Sequence, residues 1–261
     1  MAVFGLVGPT TVLGHGDVHE AIVILSRRMA DQPGKASLHF ERASLYAQYE
    51  HFPEALADLA TVWDLEPGHD MALALRGSIL RRSGRPAEAR APQEAFLKMH
   101  PEHARVRFDY CQTLADLKET AAAMGELDRL IAGAAHPAPD AVALRLRLTE
   151  ATDAAAALTW LEGFLSNHPL PVFGEEALRL EIKLGRTAAA VQRIDAMIAT
   201  APRPESLHLR KAGLLAAAGD PAGARAAARA AMAALARLPA HLRGTRACAG
   251  MEERAQRILS P

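Results

Sequence analysis

The apolar residues of this chain fall at helical spacing, and the helical stretches keep a fixed beat. Over Asp17–Gln32, Ala21, Ile22, Leu25 and Met29 share one side of a helix that Pro33 ends. From Gly34 to Pro101 one pattern is written twice. Leu45-Tyr46-Ala47-Gln48-Tyr49-Glu50-His51-Phe52-Pro53-Glu54-Ala55 aligns with Ile79-Leu80-Arg81-Arg82-Ser83-Gly84-Arg85-Pro86-Ala87-Glu88-Ala89 at a constant offset of 34 residues, and Pro33, Pro67 and Pro101 keep the same interval. A period of this length, with two helical runs, a turn and a closing proline, marks a helix–turn–helix repeat array.

Beyond Pro101 the closing prolines fall at Pro137, Pro169 and Pro202, at intervals of 36, 32 and 33 residues, a drift that surface loops absorb cheaply. The helix pairs predicted from this beat are 36–49 with 53–65, 70–83 with 86–99, 104–117 with 120–132, 140–151 with 153–166, 173–184 with 187–199, and 205–218 with 221–238. Pro53, Pro86 and Pro221 suit a first helical turn, and Gly84 and Gly219 suit helix stops. The region 239–261 predicts a last helix over 245–259, whose Glu252, Glu253, Arg254, Gln256 and Arg257 fit the polar outer face of a C-terminal cap. The expected fold is thus all-α: an α-solenoid of about six to seven units over 17–238, with a capping helix after it.

These residues resemble the tetratricopeptide repeat (TPR) family. The second unit supplies Ala43, Tyr46, Phe52, Ala55, Leu59, Val62 and Pro67, with Glu50 where the family has Gly. The third supplies Gly77, Leu80, Gly84, Ala89 and Pro101, with Gln93 and Phe96 replacing the expected apolar and small pair. Cys111, Leu114, Ala123, Leu127 and Leu130 continue it in the fourth. The sixth has Gly185, Ala190, Ile194, Met197 and Pro202, and the seventh Ala212, Leu215, Gly219, Ala224, Ala228 and Ala231. Small residues are needed where helices cross closely.

The resemblance implies a right-handed α-solenoid in which the first helix of each unit lines a groove that takes a partner. Carried over residue by residue, the groove positions are Phe40, Ser44 and Gln48, then Ser78, Arg81 and Arg82, then Phe108 and Gln112, then Arg147 and Arg179. Ser37, Met71, Ala74, Arg105, Asp116, Ala143, Glu150, Glu175 and Lys183 lie along the same strip. An arginine fork binds a carboxylate in two contacts, which points to an extended acidic segment of a partner protein or peptide, or to a free carboxylate. The competing reading is a solvated helix face whose arginines pair locally with Glu or Asp.

Composition narrows the rest. The 261 residues carry 30 basic and 30 acidic side chains, so no electrostatic footprint for nucleic acid exists. No apolar run is long enough to span a membrane. Cys111 and Cys248 are read as packed thiols, and Trp63 and Trp160, on second helices, as packing residues. His100, His136 and His168 each precede a closing proline and mark the turn. The segment 1–16 is apolar at its start: Val12-Leu13-Gly14 fits a signal-peptidase site, yet a basic n-region is missing, which leaves a signal remnant and a loose end open equally. Cytoplasm and periplasm stay equally open with it.

No GxSxG elbow, phosphate loop, HExxH or paired CxxC occurs, so no enzyme and no cofactor is expected. His15 and His19 stand four apart, a spacing able to place two imidazoles on one helical face for a metal, and they carry the alternative reading of an envelope-located accessory protein for metal handling or transport. The first reading is a protein-interaction scaffold, with self-association through the alanine-rich C-terminal units left open.

Overall fold

The computed structural model describes residues 15–260, and the side chains from His19 onward. The described residues form fifteen α-helices and no strand. In order these are α1 (His15–Asp31), α2 (Ala36–Gln48), α3 (Phe52–Leu65), α4 (Asp70–Arg82), α5 (Pro86–Met99), α6 (Ala104–Asp116), α7 (Thr120–Ala132), α8 (Pro139–Glu150), α9 (Ala154–Asn167), α10 (Pro171–Lys183), α11 (Thr187–Thr200), α12 (Glu205–Ala217), α13 (Pro221–Ala236), α14 (Ala240–Arg243) and α15 (Arg246–Leu259). Apart from the one-turn α14, each matches an expected helix to within two residues. Met1–Gly14 lies outside the described residues. No helix among the described residues is long and apolar enough to cross a membrane.

The turns between paired helices explain the beat. Glu50, Gly84, Lys118, Gly185 and Gly219 all adopt positive φ, between 63° and 78°. Around each, the following N–H reaches back five residues: His51 to Tyr46 O, Arg85 to Leu80 O, Glu119 to Leu114 O, Arg186 to Glu181 O and Asp220 to Leu215 O, at 2.8–2.9 Å. The positive-φ residue itself donates to the carbonyl three before it, from Glu50 to Ala47 and from Lys118 to Ala115. This is the Schellman cap, which satisfies the last carbonyls of a helix and reverses the chain. Glu50 and Lys118 hold the same geometry without glycine, so the turn is dictated by its hydrogen bonds and its packing.

Histidines start two of the first helices. His69 Nδ1 accepts from Ala72 N at 3.2 Å and His103 Nδ1 from Val106 N at 3.3 Å, which fixes the proton of both rings on the other nitrogen. Phe40 packs on His69 and Phe96 on His103, with ring centroids 4.8 and 5.1 Å apart. His100 Nε2 lies 2.5 Å from Asp70 Oδ2 and draws the Asp70 carboxyl below the usual carboxylate range. His69, His100 and His103 thus serve the junctions between repeats.

The chain divides into two compact units, one reaching to Leu148 and one from Thr149 onward. In the first, Ala43, Ala47, Ala55, Leu59, Val62 and Ile79 form one core cluster, and Cys111, Leu127, Ala141 and Leu144 another. At the α4–α5 crossing a Cβ on Gly77 would stand 2.5 Å from Gln93 Cγ, so only glycine fits. Gln93 is fully buried there with both amide atoms unpaired. In the second unit Leu178, Ala190, Ile194 and Leu207 pack together, as do Ala212, Ala228, Ala231 and Leu235 with Cys248, Met251 and Ala255 of α15. Helix α15 therefore packs on α12 and α13. Both cysteines are buried free thiols, and burial pushes Cys111 up to about 12. Trp160 stacks on Phe164, but Trp63 is two-fifths exposed (41%) and packs less than its sequence position suggests.

Candidate peptide-binding face

One 34-residue step carries each position of α2 onto α4 and then α6, so equivalent residues line up on one side of the first unit. Ser37, Met71 and Arg105 form one row, Phe40, Ala74 and Phe108 a second, Ser44, Ser78 and Gln112 a third. A fourth row, Glu41, Leu75 and Asp109, lies one residue further round. In the second row alanine stands where both neighbours carry phenylalanine. A cleft of about 250 Å³ opens there, lined by Phe40, Ser44, Met71, Ala74, Leu75, Ser78, His103, Arg105, Val106 and Asp109. Its walls are largely apolar, with Met71 left 43% exposed, and its polar groups are two hydroxyls, one carboxylate, one guanidinium and the His103 imidazole.

Asp109 is the electrostatic focus. Burial pushes its carboxyl above the ordinary range, against the pull of Arg81, Arg105 and Arg82 and of the neighbouring Ser78 hydroxyl. Arg81 sends Nη1 to Asp116 at 3.7 Å, while its buried Nε has no hydrogen-bond partner. The cleft thus combines an apolar hollow with a carboxylate and an adjacent guanidinium whose capacity is not fully used.

The positions singled out in the sequence separate into three groups. Phe40, Ser44 and Ser78 meet in the cleft, with Met71, Ala74 and Arg105 beside them. Gln48 is exposed at the end of α2, Gln112 is half-buried, and Phe108 packs into the core against Cys111, Leu127 and Ala141. The arginines are largely spent within the fold. Arg82 donates to Ala47 O at 2.9 Å, reaches Glu50 at 3.4 Å and covers the Phe52 ring. Arg179 grips both oxygens of Glu150, at 2.9 and 2.5 Å, and also Glu176, with Lys183 on the same Glu150. Arg147 is exposed on α8.

Asp109, Leu75, His103 and Val106 join the cleft without having been expected. The signal for Asp109 was present: it sits 34 residues after Leu75, on the flank of α6 that meets α4. The side chain of His15 lies outside the described residues, and His19 is exposed. Among the described residues no group of three or more His, Cys, Asp or Glu side chains converges as for a metal ion.

No family model and no curated protein matches this sequence. Solved structures do match in fold. A tetratricopeptide repeat protein from Parabacteroides merdae aligns over 92% of this chain and 93% of its own, at 15% identity and a TM-score of 0.55. The C-terminal part of a TPR repeat-containing protein from Cytophaga hutchinsonii aligns over 88% and 95%, at 13% identity and a TM-score of 0.66. The Naa15/Naa10 complex bound to HypK has a chain of which 44% aligns with 94% of this one, at 14% identity and a TM-score of 0.56.

Proposed function

We propose, for a chain whose fold is that of the tetratricopeptide repeat proteins, that it works as a non-enzymatic scaffold and holds an extended segment of a partner protein across α2, α4 and α6. The carrying observation is the hollow over Ala74. An apolar side chain of the segment enters it between Phe40, Met71, Leu75 and Val106. The Ser44 and Ser78 hydroxyls, Arg105 and Asp109 fix its backbone and its polar neighbours. Support comes also from the architecture: repeats that occupy nearly the whole chain present one row of side chains after another, which suits an extended ligand. A similar fold occurs in an assembly with a bound partner, the complex of Naa15/Naa10 with HypK.

Selection of a random peptide library on the full chain tests this reading. Peptides sharing an apolar residue should be enriched, and they should bind Ala74→Phe at least about tenfold more weakly, since truncating or plugging a central pocket removes most of an interface's energy. Ala74 is itself buried in a cluster with Phe96 and Val106, so a thermal melt checks that the variant keeps the parent's packing. Met71→Glu, at an exposed position, is a second variant that leaves the core alone. Peptides that bind both variants as well as the parent would overturn the assignment of this cleft.

A further inference from the structure

The second unit presents the same register face in a different chemistry. Ser206, Leu209, Arg210 and Gly213 of α12 are equivalent to Met71, Ala74, Leu75 and Ser78 of α4, counted from the positive-φ glycines Gly219 and Gly84. Helix α15 flanks this face, and between the two helices lies a cleft of about 500 Å³ lined by Ser206, Leu209, Arg210, Gly213, Arg254, Arg257 and Ile258. Among the described residues, three arginines and no carboxylate line it. Leu209 and Ile258 make an apolar floor, and the missing side chain at Gly213 leaves room above it, with nothing within 4 Å of an added Cβ.

These guanidiniums are loosely held, unlike those of Arg82 and Arg179. Arg210 donates to Glu175 at 2.7 Å and Arg257 to Glu253 at 3.1 Å, and all four side chains are between 42% and 70% exposed. Among the described residues Arg254 makes one bond, from Nε to Gly250 O at 3.3 Å. Each guanidinium carries five N–H donors, so most of the donors facing the cleft are unspent. Exposed ion pairs contribute little net stability, so an incoming carboxylate displaces them readily. We propose that this cleft is a second docking site, and that it takes an acidic segment of a partner protein whose Asp or Glu side chains reach Arg210, Arg254 and Arg257 while a neighbouring aliphatic side chain lies on Leu209 and Ile258.

Charge complementarity selects the acidic segment, and the apolar floor selects protein over nucleic acid. No aromatic side chain lines the cleft to stack a base, and the chain as a whole carries no net charge to attract a phosphate backbone. The expectation of an acidic partner moves in this way from Arg82 and Arg179, each held by several partners within the fold, to Arg210, Arg254 and Arg257, each held by one exposed contact.

Fluorescence polarisation on the full chain tests the site with a labelled, acetylated and amidated peptide of alternating glutamate and leucine. The parent should bind it, more weakly as salt is raised, and should bind the glutamine-for-glutamate peptide about tenfold less well. Arg254→Gln/Arg257→Gln should lower the affinity at least about tenfold, with an unchanged melt because both side chains are exposed. Ala74→Phe should leave it unchanged, which separates this site from the cleft of the first unit. The proposal is overturned by equal binding of the double variant, by equal binding of the glutamine peptide, by no binding to the parent, or by a single-stranded oligonucleotide that displaces the peptide at lower concentration. Equal binding of a leucine peptide whose one carboxylate is a free C-terminus would overturn the choice of acidic side chains.

Discussion

Single residues carry the departures from the repeat pattern, and two of them have measurable costs. Lys118 adopts φ 64° where Gly84, Gly185 and Gly219 do the same work without a Cβ clash. Lys118→Gly should therefore stabilise the fold by about 0.5–1 kcal/mol and raise the melting temperature by about 2–4 °C. A calorimetric midpoint equal to or below the parent's would mean that the turn is not strained. Gln93 replaces an apolar residue and is buried with both amide atoms unpaired. Gln93→Met keeps its length and removes the orphaned polar group, and should add about 1 kcal/mol in chemical denaturation; a loss instead would show that Gly77 depends on the amide.

At the scale of elements, nearly every helix was legible because capping, periodicity and proline placement all point to the same ends. Asp109 was passed over although its 34-residue offset from Leu75 was readable, because a strip drawn in steps of three and four along α6 misses it and its importance comes from its burial against α4. The fate of the arginines was equally hidden. Arg82 meets Glu50, 32 residues away, and Arg179 meets Glu150, 29 residues away, so each partner stands about one repeat along and no local charge pattern reveals it. That pairing has a pH signature. Arg179 first and Lys183 second hold the Glu150 carboxyl down to about 2, below its ordinary value in an unfolded chain. A depressed carboxylate stabilises fully above the unfolded value and loses its contribution as pH falls from about 4.5 toward about 2. Glu150→Gln should thus be less stable than the parent at neutral pH and converge with it near pH 2, with Arg179 and Lys183 half exposed and the difference correspondingly reduced. Parallel curves across that range would assign the ion triad no net role.

At the scale of the whole molecule, each unit turns one row of equivalent positions into a distinct chemistry: an apolar hollow with a carboxylate in the first, an arginine-lined cleft in the second. The repeat period made these rows visible in the sequence, while the contents of each cleft depend on which side chain is small and which guanidinium is unspent. The Schellman turns carry one more consequence. Because each closes within six residues and each helix packs mainly on its neighbours in sequence, native packing can form without waiting for distant segments of chain. Contact order is low in such a topology, and a chain built this way is suited to rapid folding from more than one starting point.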